Sequence, residues 1–88
     1  MNTRDDFNRS GFAFLMSDID LALTMTQIAL SAPSNSAKRT RNTNNARHAY
    51  DTVLHFRTLV TFSDSEQEQF IINLGRLKSA LMQLGEEF

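Results

Sequence analysis

Phe70, Leu74, Leu77, Leu81 and Leu84 recur at alternating steps of four and three, a spacing that lines one face of an α-helix and that no strand presents to a single side. Serines precede the row. Ser63 with Glu66, or Ser65 with Glu68, fits the S-x-x-E capping box, and Gly85 follows where a helix ends in the left-handed conformation. A helix over about 64–84 is the best-defined element of the chain. With three glycines and one proline in 88 residues, little interrupts the same periodicity elsewhere, and nothing alternates with period two for long enough to make a strand. The expected fold class is all-α.

Pro33 divides the preceding residues. Proline disfavours helical geometry in the residue before it, and "APSNS" is rich in turn and cap formers, so a first helix ends near 32 and a second starts near 36, capped by Ser34 or Ser36. The first helix is expected to begin at Ser17, with Asp20 in the capping-box place and Met16 and Leu21 as a hydrophobic staple. Its main stripe is Leu21, Met25, Ile28 and Ala32; Ile19, Leu23 and Leu30 lie roughly opposite. The second helix runs to about 62 on a stripe of Ala49, Val53, Phe56 and Val60, widened by Ala46, Tyr50 and Leu54. Short links make sequence neighbours antiparallel, which predicts one domain over 1–88, an up-down-up three-helix bundle. Residues 9–16 are expected as a short apolar segment or extra turn packing on helix one, with 1–8 frayed.

Composition narrows the functional classes. Apolar residues at 41% and charged residues at 22% describe a soluble globular chain. Without cysteine there is no disulfide framework, no thiolate metal site and no cysteine nucleophile. "GFAFLM" is too short, and too soon followed by Asp18 and Asp20, to be an export signal or a membrane span, so a cytoplasmic protein without membrane contact is expected. Capping accounts for the serines and for Asp18, Asp20, Glu66 and Glu68, and no Gly-rich phosphate loop is present. His48, Asp51 and His55 share one side of helix two, but the two histidines stand ~10 Å apart along the axis and do not share an ion. No metal and no cofactor are expected.

The stretch "KRTRNTNNARHAYDTVLHF" concentrates positive charge between two acidic flanks. Lys38, Arg39, Arg41 and His48 are its candidates for RNA or anion contact. Against that role, the net charge is −1, tryptophan is absent and most phenylalanines fall on expected core positions. Counting outward from the turn near Ser63 places these cations close to Glu86, Glu87 and the C-terminal carboxylate, as partners within the chain. The segment "RNTNNARH" is similar to the R-x4-6-H signature of HEPN ribonucleases, whose arginine and histidine cleave RNA without metal at a dimer cleft. That resemblance implies a small RNA-binding or RNA-cleaving module using Arg41 and His48. It covers eight residues and opens the second of three helices, whereas the family carries its motif late. "ARHAYDTVL" resembles the second helix of a tetratricopeptide repeat through Ala46, Tyr50 and Leu54, without the pattern of the preceding helix.

Apolar surface exceeds what one core needs. Phe12, Phe14, Ile19, Leu23 and Leu30 are left over as a candidate interface, and at ~25 cal/mol per Å² their exposure forfeits several kcal/mol in a marginal domain. The functional expectation is a non-enzymatic helical interaction or oligomerisation module, pairing with itself or with another helical protein.

Overall fold

Side-chain caps decide where two of the helices begin. The Ser63 side chain accepts from the Glu66 amide at 3.2 Å and the Glu66 carboxylate accepts from the Ser63 amide at 2.9 Å, a complete capping box. Ser36 accepts from the Arg39 amide at 3.1 Å while its hydroxyl donates to the Pro33 carbonyl at 2.8 Å. The computed structural model describes residues 3–88, in which three helices follow: α1 Thr3–Ser31, α2 Ala37–Arg57 and α3 Asp64–Gln83. Among the described residues there is no strand.

The bundle is up-down-up, with α1 packed on both α2 and α3. At one end Asn8 accepts from the Thr61 amide at 2.9 Å, and at the other Arg39 reaches the carbonyl of Ala29, so α2 runs antiparallel to α1. α3 returns alongside α1, from Phe62 against Phe12 to Gln83 beside Leu30. The inward row of α1 is Leu15, Ile19, Ala22, Thr26 and Ala29. Thr43, Ala46, Tyr50 and Val53 face it from α2, and Phe70, Leu77 and Leu81 from α3. Thr26 is buried without penalty because its hydroxyl donates to the Leu23 carbonyl at 2.7 Å.

Several boundaries depart from the expectation. α1 does not start at Ser17 but runs unbroken from Thr3, so residues 9–16 lengthen the helix rather than fold onto it. Its first turns are held by the link after α2: Phe12 meets Phe62 edge to face at 5.2 Å, and Gly11 lies under Val60. Of the segment expected to fray, residues 3–8 are helical and 1–2 lie outside the described residues. α2 stops at Arg57, five residues early, because Arg57 turns to donate to the Val60 carbonyl at 2.7 Å and to Gln67 while stacking on Phe62 at 3.8 Å.

The inward face of α1 also differs. Ile19, expected on the outer side as part of an interface, is fully buried, whereas Leu21 and Ile28, expected in the core, are exposed. The reason is that helix neighbours select the row with small members: Ala22, Ala29 and Thr26 let α2 approach closely through Ala46, which the larger Leu21 and Ile28 would prevent.

α1 also has the length and composition of a membrane-crossing helix, with 28% of that stretch buried. The molecule is a rod of 51 × 18 × 18 Å with a radius of gyration of 14.4 Å, against ~12 Å for a compact chain of this length. A rod shelters fewer side chains. That shape leaves a dozen large apolar residues exposed.

The two interior glycines of helices predict opposite outcomes. A Cβ at Gly11 would stand 2.7 Å from one Val60 methyl and 3.2 Å from the other, whereas nothing lies within 4 Å of one at Gly75. Gly75→Ala should therefore stabilise by about 0.5–1 kcal/mol. Gly11→Ala should destabilise by about 1–3 kcal/mol. Urea unfolding of both, together with Gly11→Ala/Val60→Ala, checks this: the double variant should recover part of the loss.

Candidate functional site

Three of the five buried residues of α1 are preceded by an exposed apolar one: Phe14 before Leu15, Leu21 before Ala22, Ile28 before Ala29. With Phe7 they form a row at seven-residue steps, which drifts only ~20° per step and so stays on one side of the helix for its whole length. One helix thus carries two apolar rows about 100° apart, and α2 and α3 cover only the inner one. Phe7 and Phe14 are each 56% exposed, Leu21 54% and Ile28 37%. Phe56 from the end of α2 and Leu59 from the link after it, 42% and 58% exposed, continue the row sideways.

At the wide end of this face Phe7, Phe14, Phe56, Leu59 and Val60 enclose a cavity of about 170 Å³ over Gly11. Gly11 forms part of its floor, where Val60 packs against the bare backbone. No ionisable side chain lines it. Asp18 lies beside the row, half-buried between Phe14 and Leu21, and Lys38 borders it at Ile28. A second, shallower depression lies on the α1–α3 side, where Leu23, Leu30 and Ile72 surround Gly75, with Arg76 at its rim.

The candidate interface residues are thereby dispersed. Phe14 belongs to the exposed row, Leu23 and Leu30 to the opposite depression, Phe12 to the contact with Phe62, and Ile19 to the core. Phe7, Leu21, Ile28, Phe56 and Leu59 complete the exposed face and were not anticipated for it. The signal that could have found Phe7, Leu21 and Ile28 is the step of seven along α1, readable without a structure, whereas Phe56 and Leu59 join the face only through the fold.

The cations divide likewise. Arg39 donates to the carbonyls of Ala29 at 3.3 Å and Ala32 at 3.5 Å, closing the C-terminal end of a helix that has no basic residue in its own last turn. The cluster does not reach the carboxylates at the chain's end: Arg47 does, at 3.4 Å from Glu86 and 2.7 Å from the Glu87 carbonyl. Gly85 explains the shift. At φ +95° it ends α3 with the Glu86 amide on the Leu81 carbonyl and the Gly85 amide on that of Met82, which turns the tail back. Phe88 then lies edge-on to Tyr50 at 4.9 Å, under Arg47 at 4.2 Å.

Lys38, Arg41 and His48 remain exposed on α2, and among the described residues no ion pair reaches them. The open depression at Arg41 is lined by α2 and the link before it alone. Asp51, one turn from His48, is taken by Arg47 at 3.2 Å, and no three His, Asp or Glu side chains among the described residues gather closely enough to hold a metal ion.

These roles predict a split within one cluster. Arg39→Ala should lower stability by about 1 kcal/mol, because two helix-end carbonyls lose their donor. Arg41→Ala and His48→Ala should stay within about 0.5 kcal/mol of the parent. Thermal unfolding followed by circular dichroism decides, and equal losses for Arg39 and Arg41 would refute the assignment. No protein-family model, curated protein or solved structure matches this chain, so its function is argued from this geometry alone.

Proposed function

We propose that this protein is a non-enzymatic helical interaction module that docks another apolar helical surface against the row Phe7, Phe14, Leu21 and Ile28. The observation that carries the reading is the exposure of that row along a 29-residue helix, joined by Phe56 and Leu59 around an apolar cavity. Large contiguous apolar surface on a small soluble protein marks a site of association. Polar chemistry has less to work with, since Arg41 and His48 stand on one helix with no group from α1 or α3 lining the depression beside Arg41.

We propose a cytoplasmic location for the module. α1 is apolar enough to span a bilayer, but its inner row is the core of the bundle, and Asp18 and Asp20 near its middle would each cost about 2.5–3.5 kcal/mol at a membrane centre.

A photo-crosslinking amino acid in place of Leu21, introduced in cells that make the protein, tests the docking face. The expected result is a covalent adduct of higher mass, absent when the same group replaces the exposed Asp20 on the polar side of α1. Equal labelling from both positions, or none from either, would refute the face.

A further inference from the structure

We propose that the docking face receives a second copy of this chain, α1 against α1 in antiparallel register, with the two-fold axis between Ser17 and Asp18. The proposal rests on the interaction-module reading and adds the partner and its geometry. The order of side chains along the row is what selects it. Phe7 then faces Ile28 of the second copy and Phe14 faces Leu21 of the second copy, and the same pairs repeat on the other side of the axis. An isologous pairing of this kind closes on itself and leaves no row exposed.

Shape favours this register over the parallel one. Antiparallel pairing sets an aromatic ring against a smaller aliphatic side chain at every step, so large meets small. It also carries Leu21 and Ile28 of the second copy, one on each side of its Met25, over the cavity above Gly11. A parallel pair would stack cavity on cavity and ring on ring. Charge points the same way. The first turns of α1 balance Asp5 and Asp6 with Arg4 and Arg9, whereas beside its last turn begin Lys38, Arg39 and Arg41. Antiparallel copies set the basic end of each against the neutral end of the other and oppose the helix dipoles, whereas parallel copies set the cations of α2 side by side.

The area is small. From Phe7 to Ile28 the row runs ~32 Å, and a strip one helix wide covers ~300 Å² in projection on each copy. Such a contact falls in the weak, reversible class of interfaces, below about 1,200 Å² in total, so monomer and dimer exchange with concentration. Asp18 lies beside the axis in both copies, and their mutual repulsion holds the affinity down. Asp18→Asn should tighten the dimer by roughly fourfold.

The chain has no cysteine, so single Ser10→Cys, Ser17→Cys and Ser31→Cys variants take one spin label each, all at exposed positions on the polar edge of α1. In the antiparallel dimer the two labels at position 17 are nearly level, those at 10 are offset by ~22 Å along the axis and those at 31 by ~40 Å. Dipolar distances should rank in that order. Light scattering across a concentration series should show association in the parent that falls at least tenfold in Phe14→Asp, with helical content retained. Short distances at all three labels would overturn the register and leave the docking face. Undiminished association of Phe14→Asp would overturn face and register together. A strictly monomeric parent would overturn the second copy as occupant, leaving the face to the crosslinking result.

Discussion

The row Leu15, Ile19, Ala22, Thr26 and Ala29 is the wall that both other helices share. α2 and α3 touch each other little, so neither has a core without α1. Leu15, Ile19, Val53, Leu77 and Leu81 are almost wholly withdrawn from water, and each such side chain is worth ~1.5–3 kcal/mol relative to exposure. The small members matter as much as the large ones. Ala22, Ala29 and Ala46 bring α1 and α2 close enough for those few large side chains to be sealed, which a rod only 18 Å across cannot otherwise achieve.

Polar groups fix the ends rather than the bulk stability. Ser36 and the Ser63–Glu66 box start α2 and α3, Arg39 closes α1, and Gly85 turns the tail so that Arg47 holds it. Exposed contacts of this kind contribute at most about 1 kcal/mol each. What they decide is register: Arg39 ties the top of α2 to the end of α1, and Asn8 with Gly11 ties the link after α2 to the start of α1. Between those two ties the inward rows can meet in one alignment only.

α3 was legible almost residue by residue, because its row of leucines carries one period and one terminal glycine, and the two capping boxes that compete for its start, Ser63 with Glu66 and Ser65 with Glu68, differ by only two residues. α1 was misread for the opposite reason. Two apolar rows lie one residue apart on it, and apolarity alone ranks Leu21 and Ile28 above Ala22 and Ala29, whereas close packing ranks them the other way. Ser17 and Asp20 have the spacing of a cap but sit in mid-helix, since a cap forms only where the chain has reason to leave the helix, and Phe12 on Phe62 gives it reason to continue. The basic stretch was misplaced because linear counting along antiparallel helices ignores a tail that reverses. Gly85 was recognised as a terminator. Its reversal of the chain moves Glu86 and Glu87 to Arg47 and frees Arg39 for α1.

The same competition between rows bears on function. A helix bundle of three offers α1 two neighbours, enough to cover one row of a helix that carries two. Covering the outer row internally would take a fourth helix, and the described residues form three. Nor does electrostatics hold copies apart: a net charge of −1 gives almost no mutual repulsion, and the charges that border the face are Asp18 in its middle and Lys38 beside Ile28. A rod with one sealed row, one open row and little net charge is stable as a fold and unsatisfied as a surface. Its exposed face stays in contact with water until another apolar surface lies against it.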